Sequence, residues 1–297
     1  MSVKTGTAED TAIADNNPAR LVGSPTLALS ETHHAALVPA QLARETRSLR
    51  RADALVAAGH TEKAVAHLRR LTQTVPGTTR ASLKMANLLK ESKRVGEALT
   101  VLRRATVEAP ANPAPHEALA ELALEVGATD EAITSAKLLL ALVPRSIAAR
   151  DILSAAYLQR GLLSDALRVA QELCRLDPNE PLHHFKRGVL LQQMGIVGGA
   201  TEAYLRVLAD CAGDEEYEDD FVGETRDALE MLDRYQLRQI AILAVEDMVF
   251  RVNLQRDPFE TATAKGFRLS PAGIAALGRL ALDDLPSPPT WRHRYYH

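Results

Sequence analysis

Pro76, Pro110, Pro144 and Pro178 stand 34 residues apart. Proline lacks the backbone N–H that a helix interior needs, so this spacing stops a helix at a fixed interval. Counting back from the prolines divides residues 45–214 into five windows: 45–78, 79–112, 113–146, 147–180 and 181–214. The twentieth position of every window is alanine (Ala64, Ala98, Ala132, Ala166, Ala200), and the eighth is small (Ala52, Ala86, Ala120, Ser154, Gly188). The fifteenth is Gly59, Gly127, Gly161 or Gly195, with Lys93 the exception. Two antiparallel helices per window account for all three regularities. Small residues sit where the helices cross most closely, glycine takes the positive φ of the turn, and proline marks the passage to the next window.

This pattern resembles the tetratricopeptide repeat family, and the resemblance covers about residues 45–214. It departs from the family at position four, where the usual aromatic is replaced by Ser48, Ser82, His116, Arg150 and His184, and an aromatic at position eleven survives only as Tyr157. The fifth window has Ala212 where proline is expected and reads as an atypical end repeat, as such arrays need to cover their last apolar face. The fold expected is all-α: a right-handed α-solenoid of helix-turn-helix repeats followed by a small C-terminal helical module. The composition agrees, with 46% hydrophobic and only 4% aromatic residues.

The flanks divide further. Residues 1–30 lack helical periodicity and read as a flexible arm, and 31–44 as a lead-in helix in which Pro39 lies near the start. Residues 215–223 read as a solvated acidic loop, since Asp214 to Asp220 hold six carboxylates without the spacing of a calcium loop. Residues 224–282 read as a helical module with one or two longer helices, then short ones at 258–265 and 271–282, each opened by a capping residue and a proline (Asp257-Pro258, Ser270-Pro271). The run Ala244 to Arg251, with Leu254, Arg256-Asp257-Pro258, Gly266-Phe267 and Leu269-Ser270, resembles the small helical leader modules of bacterial ribosomally made peptides and nitrile hydratase-like leaders. That resemblance implies a docking module for a processing enzyme. Residues 283–297 form a tail rich in proline, aromatic and basic residues.

Catalytic patterns are absent. No phosphate loop, dinucleotide fingerprint or nucleophile elbow is present. His116-Glu117 begins like a zinc-protease motif, but Ala120 stands where the second histidine belongs. His33–His34 and His183–His184 are neighbours pointing about 100° apart on a helix, and they read as surface or groove histidines. Cys174 and Cys211 fit no metal or redox spacing and read as buried thiols. No enzyme activity, metal or cofactor is expected. The net charge of −3 argues against a nucleic-acid binder, and no apolar stretch spans a bilayer, so a soluble cytoplasmic protein is expected.

The family resemblance implies that the first helix of each hairpin lines a concave surface. Carried over position by position, it assigns Leu49, Asp53 and Val56; Arg80, Leu83, Asn87 and Lys90; Glu117, Glu121, Leu124 and Glu125; Asp151 and Leu158; and Phe185, Val189 and Gln192. The middle of this groove is acidic and its C-terminal end apolar. Chaperone-binding members clamp terminal carboxylates with lysine and asparagine. Asn87 matches one such position, but Leu49, Asp53, Leu83 and Glu121 supply no cation. The ligand expected is therefore a basic or amphipathic segment of another protein. Trp291, Arg292, Arg294, Tyr295 and Tyr296 are a second candidate contact, being residue types enriched at interface hot spots. The function expected is a non-enzymatic scaffold, a linker or assembly subunit of a larger complex. The leader-like resemblance implies instead an adaptor that recruits a processing enzyme.

Overall fold

A computed structural model describes residues 25–212, 219–282 and 286, with side chains from residue 40 onward except at 219. The tail candidates Trp291, Arg292, Arg294, Tyr295 and Tyr296 lie outside the described residues. The described residues are helical with no strand, and they fall in two compact parts, up to Thr78 and from Thr79.

The first part is one hairpin of α1 (Pro25–Ala57) and α2 (Thr61–Thr74). Its lead-in differs from the sequence expectation: α1 begins at Pro25, not after residue 30, and continues through Pro39 into the first repeat. Pro39 therefore removes one interior hydrogen bond from a helix otherwise long enough to absorb the loss.

The second part holds four hairpins: α3 (Thr79–Glu91) with α4 (Val95–Glu108), α5 (Pro113–Glu125) with α6 (Thr129–Leu142), α7 (Ile147–Gln159) with α8 (Leu163–Leu176), and α9 (Pro181–Gln193) with α10 (Val197–Asp210). They pack in chain order as an α-solenoid. The alanines at position twenty and the small residues at position eight are buried in every repeat. Val75, Ala109, Val143 and Asp177 end the second helices of the first four repeats with extended or near-extended backbone, the conformation a following proline imposes.

One motif joins the two helices of each hairpin. At the second turn Lys93 N donates to Lys90 O (2.9 Å) and Arg94 N to Leu89 O (2.8 Å), a Schellman pair repeated at Gly59, Gly127, Gly161 and Gly195. The glycines have φ between 71° and 76°, and Lys93 adopts 62°. The residue after the turn closes the first helix through its N–H and opens the second through its carbonyl, as when His60 N donates to Leu55 O and His60 O accepts from Ala64 N. No side-chain cap is made at these starts, because the turn already aligns the chain. The first helices of repeats three to five arrive from longer connections and are capped by Asn112, Ser146 and Glu180.

Position four, where the family's aromatic is missing, has a polar solution. His116 and His184 are buried, not on the surface or in the groove as the sequence suggested for His184. Their Nε2 atoms lie 3.1 Å from Pro110 O and 3.0 Å from Pro178 O, tying each repeat to the loop before it. His183 is buried as well. Arg150 reaches Ser146 O and Glu172 from the same position. Of the two thiols, Cys211 is buried and Cys174 only partly so.

Four more helices follow: α11 (Asp219–Glu246), α12 (Met248–Arg256), α13 (Pro258–Ala264) and α14 (Pro271–Leu277). The first starts inside the expected acidic loop, at Asp219, and Asp220 in its first turn complements the positive end of the helix dipole. The last ends at Gly278, short of residue 282. Helix α11 is the physical end of the stack: Ala228, Leu229 and Leu232 pack with Leu191, Ala200, Ala203 and Tyr204 in one core cluster. A second cluster of Ile240, Ala244, Phe250, Leu254, Ala262 and Leu277 binds α11 to α14 together. Ala244, Phe250 and Leu254 of the leader-like run belong to it, with Phe267 and Leu269 packed against it, so in this fold they help build the array's cap.

Buried polar side chains of α11 and α12 hold that cap in register. Asp233 accepts from Ser270 N (2.9 Å) and from Ser270 Oγ, and that hydroxyl accepts from Gly273 N (3.1 Å). Gln236 clamps the backbone of Arg268 on both sides, with Nε2 donating to its carbonyl (2.6 Å) and Oε1 accepting from its N–H (2.8 Å). Arg251 donates to Leu282 O and Pro286 O.

Candidate peptide-binding groove

The first helices α3, α5, α7 and α9 carry the groove candidates of the second part, and Asp53 stands exposed on α1 of the first. Asn87 and Lys90 are exposed on α3, and Glu121 and Glu125 on α5 with Glu117 half-buried beside them. The acidic candidates separate into two kinds. Lys90 Nζ lies 2.5 Å from Glu125 Oε1, and Lys186 Nζ lies 2.7 Å from Asp151 Oδ1. Both pairs join neighbouring first helices, so Glu125 and Asp151 are already neutralised within the array. Lys186 was not among the sequence candidates. Its signal was present, since each cation–carboxylate pair is separated by 35 residues, one period plus one.

Glu117 and Glu121 are different. They lie one turn apart on α5, and among the described residues neither forms an ion pair. Although Glu121 is exposed overall, partial desolvation holds its carboxyl above the usual carboxylate range, the charge of Glu117 raises it further, Lys90 opposes the shift and Glu125 adds to it. Among the acidic candidates on α5 and α7, Glu117 and Glu121 are thus the ones without an ion pair.

The apolar end is closed from within. Phe185 meets Tyr204 at 5.6 Å between ring centroids and Phe221 of α11 at 5.2 Å, edge-on. Val189 packs against the same cluster. The open apolar surface expected there is thus occupied by α11, because an array's last apolar face must be covered by something.

No group of three or more His, Cys, Asp or Glu among the described residues is arranged to hold a metal. Burial pushes the Cys174 thiol up, with Arg187 opposing, which disfavours the nucleophilic thiolate. Two family models, each described as tetratricopeptide repeat, match residues 55–122 and 117–181. The chain carries tetratricopeptide repeats.

Among solved structures, a MamA RS-1 ArsTM double mutant is 17% identical with a TM-score of 0.53, covering 58% of this chain and 97% of that one. MamA from Desulfovibrio magneticus RS-1, residue 41 to the end, has the same identity and coverages and a TM-score of 0.52. Another MamA crystal structure is 16% identical with a TM-score of 0.53, covering 59% of this chain and 95% of that one. At these identities the likeness is one of fold. No curated protein matches this chain. Tetratricopeptide repeats are interaction modules whose stacked hairpins create an extended binding surface, and this protein is accordingly an interaction scaffold. Among the described residues no helix is long and apolar enough to cross a membrane.

Proposed function

We propose that the protein is a linker or assembly subunit of a larger complex, and that its groove receives a basic or amphipathic segment of a partner protein at Glu117 and Glu121. The observation that supports this reading is the contrast within the groove. Glu125 and Asp151 have lysines 2.5 and 2.7 Å away, while Glu117 and Glu121 have no ion pair and Glu121 is raised in pKa by partial desolvation and by its neighbour. A cationic side chain placed between two such carboxylates relieves their repulsion and gains charge-assisted hydrogen bonds. Lys90 and Glu125, whose charges act on Glu121, frame that contact. Phe185 and Val189 act by holding the cap rather than by touching the partner.

The test is affinity purification with the wild-type chain and with the double variant Glu117→Lys, Glu121→Lys, followed by mass spectrometry and by titration of the recovered partner. The partner should be lost from the charge-reversed protein, and wild-type affinity should fall as salt is raised. Equal recovery by both proteins would remove the groove from the reading. Deleting residues 287–297 in parallel separates a contribution of the tail, with Trp291, Arg292, Arg294, Tyr295 and Tyr296, from that of the groove.

A further inference from the structure

We propose that the α1–α2 hairpin carries an anion-binding pocket that takes the carboxylates of an acidic peptide, a site separate from the groove and opposite to it in charge preference. The pocket is a cavity of about 300 Å³ lined by Arg44, Arg47, Ser48 and Arg51 of α1 and His67 of α2. Spacings of three and four residues place the arginines in one stripe along α1. At 100° per residue that stripe faces away from Asp53, the groove candidate on the same helix, so these are not the positions at which the family clamps a terminal carboxylate.

Three observations single the pocket out. Among the described residues none of Arg44, Arg47 and Arg51 has a carboxylate partner, and the hydrogen bond Arg47 makes is from Nε to Ala43 O at 3.3 Å. Other arginines of the array do have carboxylate partners, as in Arg94–Glu97, Arg103–Glu131, Arg104–Glu108 and Arg206–Asp210. The Nε2 atom of His67 is buried and has no hydrogen-bond partner. The ring also sits in a positive field, since Arg51 and Arg70 add to burial in lowering its pKa. Finally, the positions of Arg47 and Arg51 in the first repeat correspond to Ala81 and Met85 in the second and to Ala149 and Leu153 in the fourth, all buried. An exposed repeat face needs polarity, but alternating signs would supply it without repulsion. Three converging cations instead create a field that an anion relieves.

Guanidinium groups bind planar carboxylates through paired hydrogen bonds. Arg44 to Arg51 rise about 10 Å along the helix, and carboxylates at alternate positions of an extended segment lie about 7 Å apart, so two acidic side chains fit the stripe. The hairpin also carries Glu45, Asp53 and Glu62, and the whole chain has a net charge of −3, which disfavours a long polyanion such as duplex nucleic acid.

A fluorescein-labelled hexaglutamate peptide titrated into the full chain at low salt should bind saturably, and a hexalysine peptide should not compete for this site. The double variant Arg47→Ala, Arg51→Ala should weaken binding about tenfold or more. Arg234→Ala, which breaks an exposed pair with Glu230, should leave binding unchanged. Circular dichroism on each variant checks the fold, and Arg47→Lys, Arg51→Lys should retain part of the affinity. Absence of saturable binding, or equal loss in the Arg234 control, would overturn the site. Inorganic phosphate binding as tightly as the peptide, or a DNA duplex binding more tightly, would overturn the peptide as its occupant.

Discussion

Gly188 lies under the ring of Tyr204: a Cβ on Gly188 would fall 2.6 Å from Tyr204 Cε1 and 2.8 Å from Cδ1. The glycine is helical and needs no unusual φ, so its role is to admit the ring. The phenol then reaches Gln192 Oε1 at 2.9 Å, joining the two helices of the fifth hairpin with a hydrogen bond.

Gly188→Ala is therefore expected to destabilise the protein by about 1–2 kcal/mol, although alanine is the better helix former, because overpacking outweighs propensity. Denaturant titration measures the change. Combining it with Tyr204→Leu should recover much of the loss, and additive losses would contradict the contact.

The Tyr204 phenol is pushed up to about 12, chiefly by burial and secondarily by the charge of Glu224. Its folded pKa lies above the unfolded value of 10, so the stability it contributes is complete below pH 10 and is lost as pH rises toward 12. The loss is on the order of 2 kcal/mol. In Tyr204→Phe the alkaline decline attributable to this group should vanish. Unfolding curves of both proteins between pH 9 and about 12 provide the comparison.

Lys93 takes the left-handed turn conformation, φ 62°, that glycine fills in the other four repeats. Lys93→Gly removes a side-chain penalty of roughly 1 kcal/mol and leaves both Schellman hydrogen bonds in place. Increased stability to denaturant is the expected result. The same substitution at a helical lysine such as Lys84 should have the opposite sign.

Asp233 supplies both acceptors that hold Ser270 at the start of α14. Asp233→Ala strands the buried Ser270 N–H at a cost of about 1–3 kcal/mol. Hydrogen exchange should quicken first at residues 268–278 and leave α3 to α8 protected, with Asp233→Asn intermediate. Uniform loosening of the whole solenoid would contradict this local role.

Lys186 masks Asp151 across α7 and α9. Such a partly exposed pair contributes less than about 1 kcal/mol, so Lys186→Ala should scarcely alter stability. It should tighten binding of a basic peptide by baring another carboxylate, which isothermal titration can measure; weaker binding would place the ligand elsewhere.

The repeat phase was legible because each of its residues answers a local demand. Ala98, Gly127 and Pro144 report a helix crossing, a left-handed turn and a helix stop that hold wherever the hairpin is placed. Their periodicity multiplies the signal, and even the outlier Lys93 keeps the turn geometry that the other windows predict. The groove was less legible. Glu125 and Asp151 read as solitary carboxylates until Lys90 and Lys186 are brought alongside from neighbouring hairpins, and Phe185 and Val189 read as open until α11 covers them.

The sequence alone thus determined the period, the hairpins, their turns and the small residues at their crossings, since these depend on backbone conformations and helix contacts within one repeat. Only the tertiary structure decided which charges remain uncompensated, that His116 and His184 bind proline carbonyls, and that the leader-like segment is the array's cap. Those outcomes depend on pairing and burial between elements, where a residue's neighbour lies a full period or more away along the chain and its chemistry is set by what packing leaves beside it.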